Sequence, residues 1–329
     1  MYRRLAKYGL SMLAILLIAG CSNDTDLETS VEERVPVVFE LASKPLNCTR
    51  ATYDNNSTWS TGIDIAVKCT ASSLGETTVG TVKNYVTADN GSGGIKLKGK
   101  GDAVANTFYW LLKNDSKSFC MWYPYSATMP TSLNVDADQR SSNNCNDQEF
   151  ASYDLLYAEV INKTASNLPL AGPVNFYHQM ARLSVHIAYV PAGETVQSVQ
   201  LGANNVAITA SDWSPTAAND NASTTSTNEG AGWTLGTQGS TINLRATTAG
   251  TDYTCILPPQ TIGTASTTLL TITTSRDTYT CKGTVKLCAG NHHTLNVTIE
   301  QEVQITATVT AWTDGGTTSI NWHSNGTYN

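Results

Sequence analysis

Residues 182–189 read RLSVHIAY. Leu183, Val185, Ile187 and Tyr189 take every second position, and Arg182, Ser184 and His186 fill the places between. Side chains on a strand alternate between two faces, so this stretch is predicted as a strand with one apolar and one polar side, Tyr189 included on the apolar one. The same period of two extends in both directions. VPVVFEL sets Val37, Phe39 and Leu41 on one face, TLNVTIE does so with Leu295, Val297 and Ile299, and VQITATVTA with Val303, Ile305, Ala307 and Val309. These runs are rich in Val, Ile, Thr and Tyr, which suit a pleated, half-buried surface. Gly, Asn, Asp and Ser clusters such as ADNGSGG and TAANDNAST separate them. No amphipathic pattern exceeds two or three helical turns, although 154–160 and 177–181 each have room for a turn of helix. Many short strands between turn signals predict an all-β chain of β-sandwich type. The segment NLPLAGPVN, with two prolines and a glycine, marks a boundary near residue 172, and each side is long enough for a core of its own.

The chain has 329 residues and a formal net charge of -7. No basic stripe is present to meet phosphates, which argues against nucleic acid as a partner. Charged residues are only 14% of the sequence, against about 25% in ordinary globular proteins. Ser, Thr, Asn and Gly replace them, as on extracellular β-proteins. The first residues fit export. Arg3, Arg4 and Lys7 precede a short apolar run that is too brief for a stable membrane-spanning helix. The run ends at Ile18-Ala19-Gly20-Cys21, an aliphatic residue and two small ones before a cysteine, which resembles a lipobox. Residues 1–20 are then a signal peptide, and Cys21 carries diacylglycerol on sulfur and an acyl chain on its freed amine. Such a set of chains exceeds the two signals needed for stable anchoring. Seven cysteines remain, an odd number that forbids a complete disulfide framework. Cys255 shares parity with Tyr253 and Leu257, and Cys281 with Tyr279, Val285 and Leu287, so both are read as small core residues; a Cys255–Cys281 bridge is the alternative.

Sites of chemistry are scarce. The sequence holds no GxSxG, HExxH, P-loop or GxGxxG, and no CxxC spacing for zinc. Its five histidines fall at 178, 186, 292, 293 and 323. DADQRSSNN, beginning at Asp136, has the carboxylates of a calcium loop, but Arg140 stands where the fifth-position ligand belongs. Seven tryptophans are scattered along the chain, with core or turn packing as the default for most of them. The expectation is no enzyme, no metal and no cofactor.

Four segments carry a resemblance. FYHQMARLSVHI (176–187) is similar to the Phe-x-His-x-x-Ala-[Arg/Lys]-Leu-x-Val signature of Bacteroidetes fimbrillins, the Mfa-like and FimA-like group. TRATYDNNSTWSTGIDIAV (49–67) resembles their Thr-Arg-Ala start and following Trp-x-x-Gly strand, with Ala66 where a glycine is frequent. YDLLYAEV (153–160) resembles their Asp-Leu-Leu-Tyr-Ala segment, and VTAWTDGGTTSI (309–320) their closing strand. Ser22-Asn23-Asp24-Thr25-Asp26 resembles the acidic tract by which lipoproteins of that phylum reach the surface of the outer membrane. The resemblance implies two transthyretin-like β-sandwich domains in tandem: a lipidated tether with a removable first strand at 21–50, an N-terminal domain at 51–172 and a C-terminal domain at 173–329. It implies a fimbrial subunit that partners other fimbrial subunits, with an outer-membrane anchor before processing and a host glycan or protein as receptor. Assembly follows an arginine-specific cut, here between Arg50 and Ala51. Strand exchange would then use Val37, Phe39 and Leu41 as the strand removed and Val303, Ile305, Ala307 and Val309, or the tail beyond Trp312, as donor. The competing reading is a monomeric surface glycan-binding lipoprotein, which needs a run of exposed aromatic side chains. His178 and Arg182 are expected to be structural, His178 bonding backbone with Phe176 and Leu183 in the core.

Overall fold

The computed structural model describes residues 34–42, 59–112, 114–143, 145–164, 173–215 and 233–299, and the backbone of 303–311 and 317–321. The first half carries β1 (Val35–Pro36), β2 (Phe39–Glu40), β3 (Asp64–Ser72), β4 (Val82–Asp89), β5 (Ile95–Gly99), β6 (Tyr109–Trp110), β7 (Ser116–Tyr123), β8 (Ser132–Asn134), helix α1 (Asp147–Ser152), β9 (Leu156–Thr164) and β10 (Tyr177–His178). The second carries β11 (Ala181–Tyr189), β12 (Val196–Ala207), β13 (Thr209–Ser211), β14 (Thr234–Leu235), β15 (Gln238–Asn243), β16 (Arg245–Thr248), β17 (Asp252–Leu257), β18 (Gln260–Thr274), β19 (Thr278–Leu287), β20 (Asn291–Ile299), β21 (Val303–Ala311) and β22 (Thr317–Asn321). The fold is all-β, as the alternation predicts.

In the first half, seven strands form one sheet in the order β10-β9-β7-β3-β4-β5-β2. One face holds a core of Phe39, Ile65, Val67, Tyr85, Leu97, Phe119 and Met121 with the buried rings of Trp59, Phe108 and Phe176. In the second half a six-stranded sheet, β16-β17-β11-β20-β21-β22, faces a four-stranded one, β15-β12-β18-β19. Leu183, Val185, Cys255 and Val297 from the first meet Val199, Leu201, Leu270, Ile272 and Val285 from the second in a sandwich core. Trp122, Cys120 and Tyr157 leave the back of the seven-stranded sheet to join that second core. The described residues belong to one compact unit beginning at Arg34, with these two hydrophobic cores inside it.

Local chemistry explains most element ends. Asn146 caps α1 by accepting the Glu149 backbone N–H at 2.9 Å. The β18–β19 hairpin closes on Thr274, whose hydroxyl oxygen accepts the Asp277 N–H at 3.0 Å. Gly263 interrupts β18 at φ 80°, where a Cβ would lie 2.2 Å from the Gly283 carbonyl oxygen, so only glycine fits this close strand approach.

Two expectations are corrected and one alternative is excluded. The segments 154–160 and 177–181 are strand and connection, because Leu156–Thr164 pairs with β7 and Tyr177–His178 pairs with β9; sheet partners override the weak local helix signal. Tyr189 is exposed, since a register shift against β20 between Ile187 and Tyr189 turns it off the apolar face. Cys255 is a buried free thiol, so no Cys255–Cys281 bridge forms. Strand partners also show that Tyr177 and His178 belong to the first sheet and that the β11 run begins only at Ala181.

Candidate functional site

The first strand is inserted, not draped. Val37 and Phe39 have no exposed surface and Leu41 is buried, which is the face the alternation predicts. The Phe39 ring stands edge-on to Phe119 at 5.2 Å between centroids and tilted to Tyr85 at 5.9 Å. Backbone bonds hold it along its length. Val37 N–H donates to Phe108 O at 2.8 Å and Leu41 N–H to Ile95 O at 2.9 Å. On the other side Val174 N–H donates to Glu40 O at 2.7 Å, and Ala42 N–H to Val174 O at 3.0 Å. Tyr85 adds a bridge, its hydroxyl donating to Val37 O at 3.2 Å and accepting Phe108 N–H at 3.0 Å. Residues 39–42 thus lie in a slot between β5 and Val174. Withdrawing three large apolar side chains from it costs about 1.5–3 kcal/mol each, together comparable with the whole stability of a small domain.

The 176–187 segment stitches the two cores together. Phe176 packs in the first core, edge-on to Trp59 at 5.2 Å, while Met180, Ala181 and Leu183 enter the second. Between them His178 Nδ1 lies 2.8 Å from Asp154 Oδ1, both side chains buried. Two sequence signatures therefore meet in space. The expectation named a backbone partner for His178; the structure gives its Nδ1 this carboxylate, a strong acceptor for an enclosed imidazole. Arg182 is also buried and its Nε–H donates to Thr254 Oγ1 at 3.2 Å. His178→Ala should lower stability in a urea titration by about 3 kcal/mol, because it strands a buried carboxylate.

The adjacent pair on β20 is held neutral. Burial depresses His293 to about 4, and its Nε2 accepts the Cys288 N–H at 3.1 Å, which requires that nitrogen to be unprotonated. Burial, then Arg182 and His293, depress His292 to about 3; its Nε2 lies 2.7 Å from Ser184 Oγ. Because these folded values fall below the ordinary histidine value, the unfolded chain binds protons first. Stability is complete above about pH 6.5 and is lost as pH falls toward 4, with His293 alone contributing about 3 kcal/mol across that window. Thermal melts between pH 7 and pH 4 measure this loss, and His293→Gln should flatten it. Among the described residues no three His, Cys, Asp or Glu side chains converge as a metal site. In the 136–144 loop the Asp138 carboxylate is taken by Arg140, whose Nε–H donates to it at 2.7 Å.

A family model described as fimbrillin-like matches residues 49–312, well over half of the chain. The chain belongs to the fimbrillin-like family. This is a structural and not an enzymatic family, of fimbrial proteins of the cell surface. A solved candidate cell adhesion protein from Bacteroides uniformis ATCC 8492 has 19% identity and a TM-score of 0.56, over 86% of this chain and 99% of that one. Another from Bacteroides ovatus ATCC 8483 has 16% identity and a TM-score of 0.57, over 85% and 98%. Both share the fold with this chain. No curated protein sequence matches it.

The remaining candidate residues of this fimbrillin-like chain fall in two groups. β21, with Val303, Ile305, Ala307 and Val309, pairs with β20 on one side and β22 on the other. A donor role for it requires both ladders to open, whereas among the described residues β22 is the last strand of its sheet and is held by one. Cys21, Arg50 and Ala51 lie outside the described residues. The described chain stops at Ala42, bonded to Val174, and resumes at Trp59, packed on Phe176. Trp59, Trp110, Trp122 and Trp213 are buried, and Trp233 stacks on Trp213 at 5.6 Å, so these rings serve packing and not a glycan platform. The residue that sequence reading missed is Lys117, enclosed at the start of β7. Its signal was parity: it shares a face with Phe119 and Met121.

Proposed function

We propose that this chain is an exported fimbrial subunit anchored in the outer membrane through Cys21, cut between Arg50 and Ala51, and polymerised by strand exchange. It is read as two transthyretin-like domains in tandem. The cut removes the lipid together with β1 and β2. The observation that carries this reading is the slot of the first strand: Val37, Phe39 and Leu41 are buried, and the segment is bonded to β5 on one side and Val174 on the other. An emptied slot leaves Ile95 O, Phe108 O and Val174 N–H without those partners over an apolar groove. An alternating strand from the next subunit restores both the bonds and the burial. Such head-to-tail contacts do not close on themselves, so they extend into filaments. Host glycan or protein receptors fit the same surface role.

Arginine-specific protease added to the purified chain tests this directly. The product should begin at Ala51 and form SDS-resistant multimers that rise with concentration. A product that begins at Ala51 yet stays monomeric would remove strand exchange from the proposal.

A further inference from the structure

Lys117, the second residue of β7, lies directly opposite Ser72, at the end of β3. Its side chain has no exposed surface. It pairs with Glu76, in the turn after β3, and with Asp115 Oδ2 at 2.7 Å. Asp115 is equally enclosed, and Glu76 is 11% exposed. Around them Thr78 Oγ1 donates to Glu76 Oε2 at 2.9 Å, Ser72 Oγ reaches Asp115 Oδ1 and Glu76 Oε1 at 3.4 Å each, and Lys163 stands across from Lys117 in the β7–β9 register. One ammonium and two carboxylates out of water are a costly arrangement to keep ionised. Burial pushes the Lys117 ammonium below the ordinary lysine range, and a neutral amine is a nucleophile.

We propose that Lys117 and Glu76 condense into an intramolecular amide, with Asp115 carrying the proton. The Lys117 ammonium first gives a proton to Glu76, leaving a neutral amine beside a neutral acid. Nζ then attacks Cδ of Glu76 and the C–N bond forms. Asp115 takes a second proton from the nitrogen and passes it to the departing hydroxyl; the Cδ–O bond breaks and one water leaves. The products are a secondary amide and water, with no oxidant or cofactor consumed. Contact between the reacting groups supplies the proximity that such a condensation lacks in solution, and enclosure disfavours the charged starting pair. The bond encloses residues 77–116, with β4, β5 and β6, in a covalent ring. On the fimbrial reading, that ring keeps tension along a filament from unravelling the first sheet; the chemistry itself does not depend on that reading.

Tryptic mapping of the folded, full chain is the test. The peptide 69–83, which contains Glu76, should appear joined to 114–140, uncut after Lys117, at their summed mass less one water. Lys117→Arg should give the two regions unjoined, and Glu76→Ala serves as a second control. Asp115→Asn should slow joining by ~100-fold or more, the usual range for a lost general acid–base. Separate peptides from the wild-type chain, with normal cleavage after Lys117, would overturn the proposal and leave Lys117 as an ion-paired lysine. Multimer formation plays no part in this readout, so the two proposals fail independently.

Discussion

Arg50→Ala, expressed in a fimbriated host, should yield lipidated monomers and no SDS-resistant ladder. The expected effect is close to complete, because on the strand-exchange reading every subunit needs an empty slot before it can accept a donor. Without the cut, Val37, Phe39 and Leu41 stay in the first core and their backbone bonds to Phe108, Ile95 and Val174 stay closed. A donor would have to displace a strand that is covalently part of its host and at high effective concentration. Flanking residues argue for access by a protease: Thr49, Thr52, Asn55, Asn56 and Ser57 are polar or turn-prone. Normal ladders from Arg50→Ala would make Arg50 an ordinary loop arginine.

Phe39→Ala should cost the uncut protein about 3–5 kcal/mol, the usual range for emptying a buried aromatic site. The ring has no exposed surface and meets Tyr85 and Phe119. The rigid aromatic neighbours Phe108 and Trp110 also pack against Phe119 and leave little scope for collapse into the hole. Denaturant melts of the uncut monomer measure the loss. The same substitution should leave the stability of assembled polymer unchanged, since the cut subunit no longer contains residue 39. Equal destabilisation of monomer and polymer would mean that the first strand persists in the filament.

Much of this was legible in the sequence where one rule governs. Val37, Phe39 and Leu41 alternate, and burial follows the alternation. Leu183, Val185 and Ile187 behave likewise, and period two breaks only at Tyr189, where a register shift that no local pattern encodes turns the side chain out. Other features depend on partners far along the chain. His178 finds Asp154 because β10 pairs with β9, and nothing in the sequence hints at a partner 24 positions away. The helix signal at 177–181 was real but weak, and pairing outweighs it. Lys117 was legible in principle: a lysine on the apolar parity of SKSFCMWY, with Asp115 two residues before it, is out of place, but its other carboxylate partner Glu76 is brought to it only by the β3–β7 pairing.

Strand exchange after cleavage is tested most directly by N-terminal sequencing of the polymerised form taken from the cell surface. Subunits within the polymer should begin at Ala51. Polymer whose subunits still begin at Cys21 would contradict it, because β1 and β2 would then still fill the slot that a neighbour's strand is meant to enter.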